Sequence, residues 1–174
     1  GTMKNSAGVH QWNPHNLLAS SEDFSSSDWT KSDTTVTSNA AMAPDGTLTA
    51  DKISHTSTSG QIEQTAGSLT AGAAYKAGFV AEYIDHQWVR WFFDTGKTVW
   101  FDIQNKVVGT DNSDGAGIID LGNGRVYCYA DWTTTDTSGR LFLSLTDGNA
   151  SGTRSTTTSA YIWGAHLYRN DQGG

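Results

Sequence analysis

Few residues in this chain have the means to do chemistry, and their types narrow what it can do. Cleavage of a glycosidic bond needs two carboxyl groups about 5–10 Å apart, flanking the scissile bond. The glutamates are Glu22, Glu63 and Glu82, and strand alternation puts Asp94 and Asp102 on the same parity as Glu82 in neighbouring segments, the nearest approach to such a pair. Their simpler reading, as polar partners of Arg90 or of solvent, outweighs the catalytic one, because surface carboxylates are many and perturbed ones few. A serine nucleophile would need an elbow such as G-x-S-x-G, which is absent, as are HExxH, Walker and dinucleotide motifs.

The single cysteine, Cys128, has no partner for an internal disulfide and falls on a core-facing position, where thiols are inert. His10, His15, His55, His86 and His166 are dispersed without zinc-ligand spacing. Calcium takes oxygen ligands from loops, and Glu22, Asp45, Asp51 and Asp171 are available to a structural ion; against this, Asp45 has a sufficient role in its own Asp-Gly turn. No catalytic residue is therefore assigned and no cofactor is required. The chemistry that remains is recognition.

The elements that must position it are strands. The 174 residues suit one domain and include 19 Gly, 2 Pro, 7 Trp, 6 Tyr and 6 Phe among abundant Ser and Thr. Turn signals at Asp45-Gly46, Asp114-Gly115, Asn123-Gly124 and Asp147-Gly148 separate short alternating runs. These predict strands over Leu48–Ser54, Gly60–Thr65, Ala74–Tyr83, Gln87–Asp94, Thr98–Ile103, Gly117–Asp120, Arg125–Thr133, Arg140–Thr146 and Ser159–Tyr168, and no stretch has sustained helical periodicity. Segments 19–32 and 54–59, rich in Ser, Asp and Thr, read as loops, and there is no internal repeat. Residues 1–15 read as an N-terminal extension, with Gly1 and Thr2 ahead of Met3 a cloning scar, and residues 16–174 as one antiparallel two-sheet β-sandwich of jelly-roll type.

Alternation then sorts side chains onto two sides of each strand. The inward set is Tyr75, Ala77, Phe79, Ala81, Val89, Trp91, Phe93, Val99, Phe101, Ile103, Val126, Cys128, Ala130, Leu141, Leu143, Leu145, Tyr161, Trp163, Ala165 and Leu167, nearly free of charge. The opposite set mixes large aromatics with charge, and from it we predict one ligand-binding face carrying Trp88, Arg90, Trp100, Tyr127 and Tyr129, edged by Glu82, Asp94 and His166. That mixture suits a sugar, whose C–H faces stack on rings while its hydroxyls meet planar polar groups; Arg90 would serve hydroxyls or a uronic acid. The competing reading is that Trp88, Phe92 and Trp100 form a second small core under loops.

A net charge of −7, with Lys and Arg scattered singly, argues against nucleic acid and anionic membrane surfaces. No apolar run approaches a membrane span, and the start lacks the apolar stretch of a signal peptide.

An ordered series of short motifs carries a resemblance. It comprises Asn16-Leu17-Leu18, Ser21-Glu22-Asp23-Phe24, Trp29, Ala43-Pro44-Asp45-Gly46-Thr47, Thr49-Ala50-Asp51, Gly122-Asn123-Gly124 ahead of Cys128, and Ile162-Trp163-Gly164-Ala165. The chain resembles the carbohydrate-binding-module-like jelly rolls of bacteriophage tail and virion proteins and of polysaccharide-degrading enzymes, from Asn16 to Tyr168. It departs from them where Gly124-Arg125-Val126-Tyr127-Cys128 stands for the usual Gly-Trp-Tyr-Arg-Cys, and where His166 stands for a glutamine. The resemblance implies a non-catalytic module that binds a poly- or oligosaccharide, placed outside the cell or on a virion surface. It leaves open an alternative role as a structural domain whose partners are other virion chains or an attached catalytic domain, and, further off, a polysaccharide-cleaving enzyme.

Overall fold

The computed structural model describes residues 2–4, 10–12, 16–93 and 96–172. The first two strands, β1 (Thr2–Lys4) and β2 (His10–Trp12), pair with each other. The remaining strands are β3 (Thr30–Ser32), β4 (Thr34–Ala41), β5 (Ala50–His55), β6 (Gln61–Ala66), β7 (Ala74–Tyr83), β8 (Trp88–Phe93), β9 (Thr98–Asp102), β10 (Val107–Asp111), β11 (Gly115–Gly122), β12 (Arg125–Thr133), β13 (Gly139–Thr146) and β14 (Ser159–Arg169). They form two antiparallel six-stranded sheets: sheet I in the order β10-β9-β8-β13-β6-β3, and sheet II in the order β11-β12-β7-β14-β5-β4. The chain crosses repeatedly between them, as a two-sheet sandwich of jelly-roll type requires. No helix among the described residues is long and apolar enough to cross a membrane.

Alternation fills the space between the sheets with one apolar layer. Ala77, Phe79 and Ala81 of β7 meet Val89, Trp91 and Phe93 of β8, and Phe79 lies 4.7 Å from Trp91 and 5.8 Å from Phe101, centroid to centroid. Cys128 is fully buried in this layer, where desolvation pushes its thiol pKa well up.

Strand β14 departs from the expected parity. Its pairing with β7 slips between Trp163 and His166, where Gly164 adopts φ +62°, so one extra residue is accommodated. Before this bulge Ala160 and Ile162 face inward, and after it Ala165 and Leu167 do. Tyr161 and Trp163, expected in the core, lie half-buried on the outer side of sheet II, where the Trp163 indole N–H donates to Thr49 Oγ1 at 3.0 Å. Ile162 takes the core place.

Several residues of the ordered motif series lock the fold. The Asn16 amide donates to Ala165 O at 3.1 Å while its carbonyl accepts from Leu18 N and Leu167 N, both at 3.0 Å, tying the start of the domain to its last strand. Phe24 and Trp29, in a segment expected to be plain loop, are buried with ring centroids 4.9 Å apart. Asp51, also buried, accepts from Phe24 N and Asn39 N.

Candidate functional site

Two outer faces carry aromatic and charged side chains, and they lie on opposite sides of the sandwich. Sheet I holds Trp88, Arg90 and Trp100; sheet II holds Glu82, Tyr127, Tyr129 and His166. The single face expected from the sequence is thus divided, because parity distinguishes in from out but not one sheet's outside from the other's. Glu82 and Asp102 accordingly sit on opposite sides and make no carboxylate pair, and Asp94 lies outside the described residues.

On sheet I the cross-strand register assembles the site row by row. Trp100, Arg90 and Ser144 sit side by side on β9, β8 and β13, with Thr98, Phe92 and Phe142 forming the next row and Asp102, Trp88 and Thr146 the row on the other side. The floor is buried: Phe142, Ser144 and Thr146 are 7%, 2% and 0% exposed, and Phe142 packs on Phe92 at 5.3 Å. Trp88, Arg90, Phe92 and Trp100 stand above it half-buried.

Segment 147–154 forms a wall along this face. Its Ser151 carbonyl accepts the Trp100 indole N–H at 3.1 Å, and Asn149 Oδ1 accepts Thr110 N at 2.7 Å. Gly109 completes the joint, for a Cβ there would come within 2.5 Å of the Trp88 ring. Arg154, at the end of the wall, donates to the carbonyls of Gly60 and Gly152 and to Gln61 Oε1.

Arg90 is the exception in this network. Its guanidinium lies 4.8 Å from the Phe92 ring centroid and 5.4 Å from that of Trp100, yet it has no hydrogen bond or ion pair among the described residues, and its buried Nε is unsatisfied. Burial, and then the charge of Arg154, lower its pKa from the ordinary arginine value. The described carboxylates of the face, Glu63 and Asp102, are engaged elsewhere. Glu63 accepts from Gln61 at 3.0 Å and from Arg140 at 3.5 Å, and Asp102 accepts from Gln87 at 2.7 Å and from Asn105 N at 2.8 Å.

The sheet II face is built differently. Tyr129, Tyr127, His166 and Tyr168 form a continuous run of offset-stacked rings, each successive pair 5.6 Å apart. Gly78 leaves room beneath, since a Cβ there would come within 2.8 Å of Tyr127 and 2.9 Å of His166. Burial lowers the His166 pKa, so the ring is neutral at pH 7; its Nδ1 faces Gly164 O at 3.3 Å and carries the proton, leaving Nε2 to accept from the Tyr127 hydroxyl at 2.9 Å. Two ion pairs lie beside the rings: Arg125 with Glu82 and Lys76 with Asp131, each at 3.0 Å. Lys76 also lies over the Tyr129 ring.

Sequence reading missed Tyr161, Trp163 and Tyr168 on this face, and the wall residues Asn149, Ser151 and Arg154 on the other. A glycine directly after Trp163, within a strand, was the available signal for the bulge. Irregular chain has no period, and nothing in the order of residues 147–154 announces a wall.

Among the described residues no three His, Cys, Asp or Glu side chains converge as a metal site. Asp45 accepts from Thr47 N and Oγ1, Asp171 pairs with Arg169 and Asp51 caps the backbone of Phe24 and Asn39, so the acidic residues considered for calcium are dispersed among separate local roles.

No protein-family model matches the sequence, and no curated protein is detectably similar to it. Solved structures share its architecture. The enzymatically active domain of bacteriophage CBA120 tailspike protein 4 aligns with a TM-score of 0.54 at 14% identity over 88% of this chain and 21% of that chain. The CBM22-1 xylan-binding domain from Paenibacillus barcinonensis Xyn10C aligns at 0.50 and 9% identity over 90% of this chain and 92% of that one. TmCBM61, solved with β-1,4-galactotriose, aligns at 0.50 and 14% identity over 89% and 99%. The chain therefore has the fold of a carbohydrate-binding-module-like β-sandwich. It spans about a fifth of the tailspike chain that it matches.

Proposed function

We propose that this chain is a non-catalytic carbohydrate-binding domain, and that a poly- or oligosaccharide lies along the Trp88–Arg90–Trp100 face of sheet I. The observation that carries the reading is the guanidinium of Arg90, beside the Phe92 and Trp100 rings on a walled face, with no hydrogen bond or ion pair among the described residues. Buried polar groups are normally satisfied, so one that is not points to a partner from outside. Sugar hydroxyls fit it, with Trp88 and Trp100 offering ring surface for the apolar faces of pyranoses. The fold shared with xylan-binding and galactotriose-bound modules supports the same reading.

Such a domain has no turnover of its own and holds a polysaccharide near an attached catalytic domain or a virion body, outside the cell. Individual contacts in the micromolar to millimolar range, roughly, would gain strength from several copies on one particle. The likeness to a tailspike domain favours a second reading, in which the domain packs against other chains of a phage tail or virion.

The test is affinity electrophoresis and tryptophan fluorescence against a panel of neutral and acidic polysaccharides. Binding should appear for at least one, and Trp88→Ala or Trp100→Ala should weaken it by about tenfold to a hundredfold, as for other aromatic hot spots. Tyr168→Ala, on the far side, should leave it unchanged. Full affinity in both tryptophan variants would move the sugar elsewhere, and collapse of their folds would return these residues to a covered second core. An obligate oligomer blind to every polysaccharide would favour the virion reading.

A further inference from the structure

Resting on this glycan-binding reading, we infer that the sheet I face selects an acidic saccharide, with Arg90 receiving the carboxylate of a uronic acid or the sulfate of a sulfated sugar. Neutral hydroxyls would satisfy the guanidinium as hydrogen-bond acceptors, but the face also has an unbalanced charge. Glu63, the carboxylate nearest the Phe92 row, is committed to Arg140 and Gln61, while Asp102 is held by amide donors at the β9 edge. The charge of Arg154 disfavours that of Arg90, and among the described residues Arg154 is bound only by neutral oxygens. Neither of these half-buried cations is ion-paired among the described residues.

The geometry of the neutralising group follows. A guanidinium is planar and offers a fork that matches carboxylate or sulfate oxygens in pairs. The Phe92 and Trp100 rings lie beside that fork, at 4.8 and 5.4 Å from its central carbon. The rest of the protein, at net charge −7, gives no general attraction for polyanions. Recognition of an acidic chain must then come by contact at this spot.

The experiment compares polygalacturonate, its carboxyl-reduced neutral counterpart, dextran sulfate, unmodified dextran and inorganic sulfate alone, by isothermal titration and tryptophan fluorescence. Native protein should bind at least one acidic polymer about tenfold or more tightly than its neutral counterpart, and which acidic polymer binds separates carboxylate from sulfate. Arg90→Gln should abolish that preference, and Arg90→Lys, which keeps the charge but loses the fork, should restore only part of it. Because Arg90 makes no hydrogen bond or ion pair among the described residues, both variants should unfold close to the native denaturant concentration. Equal affinity for acidic and neutral polymers, or a preference that survives Arg90→Gln, overturns the inference while leaving glycan binding intact. Inorganic sulfate bound as tightly as the polymer also overturns it, reducing the site to a simple anion pocket. Failure of every polymer to bind overturns the glycan reading itself.

Discussion

The two outer faces of this sandwich are both rich in aromatic rings, yet they differ in where their hydrogen bonds go. On the tyrosine face of sheet II the Tyr127 hydroxyl is spent on His166, the Trp163 indole on Thr49, Arg125 on Glu82 and Lys76 on Asp131. On the tryptophan face of sheet I the floor is buried, but the arginine above it has no hydrogen bond or ion pair among the described residues. A count of aromatics would rank the faces equal, or favour the tyrosines. Saturation of buried polar atoms separates them, because a satisfied group gains little from a ligand whereas a buried unsatisfied one retains the cost of its desolvation until something binds.

The largest effect that tests this contrast lies in the floor. Phe142→Ala should cost about 3–4 kcal/mol of stability, read from urea unfolding, because the ring is buried against Phe92. Tyr168→Ala should cost much less. Equal losses would mean that the tyrosine face is as deeply packed as the other, and the contrast would fail.

Next comes the link between the sheets. His55 on β5 accepts Leu145 N of β13 through Nε2 at 2.9 Å and meets Thr34 Oγ1 through Nδ1 at 2.8 Å. Burial lowers its pKa to about 4, so the unfolded chain takes up the proton first as pH falls. Stability should be full above about pH 6.5 and should drop by up to about 3 kcal/mol as pH is lowered toward 4. His86 and His166, also lowered by burial, act in the same direction. A denaturation midpoint that is the same at pH 7.5 and pH 4.5 would contradict the buried neutral state.

Smaller effects sharpen the account of the tyrosine face. Tyr127→Phe removes the hydroxyl that supports neutral His166, and should cost about 1 kcal/mol. It should also raise the His166 pKa toward the ordinary value, as read by an NMR titration; a fall would reverse the assigned proton. Smallest of all, Arg125→Gln breaks a partly exposed pair with Glu82 and should change stability by under about 1 kcal/mol.

Much of the sandwich was legible because its central strands alternate cleanly. Ala74–Tyr83 and Arg125–Thr133 match their expected bounds, and the inward set of β7, β8, β9, β12 and β13 is buried as read. The edges were not. β3 and β4 run through Ser, Thr and Asn, and β10 is a short, largely exposed strand; with one neighbour and little to bury, such strands need no apolar period. The candidate site was half legible for a similar reason. Outward parity identified Trp88, Arg90, Trp100, Tyr127, Tyr129 and His166 as outer residues, but sheet membership depends on long-range pairing, which a local pattern does not encode. That Arg90 has no ion pair among the described residues depends on the commitments of Glu63, Gln61 and Arg154, residues 27 or more positions away in the chain.

The bulge at Gly164 makes β14 a strand with two reading frames. Upstream of it the letters facing solvent are Tyr161 and Trp163; downstream they are His166 and Tyr168. Remove that one residue and the frames merge: with Asn16 holding Leu167 in place, Trp163 and Tyr161 must turn toward the core and Ile162 toward water. On this surface a single-residue deletion is therefore a longer step than several substitutions. It would rewrite half of the outward text of β14 without altering the chemistry of any surviving side chain.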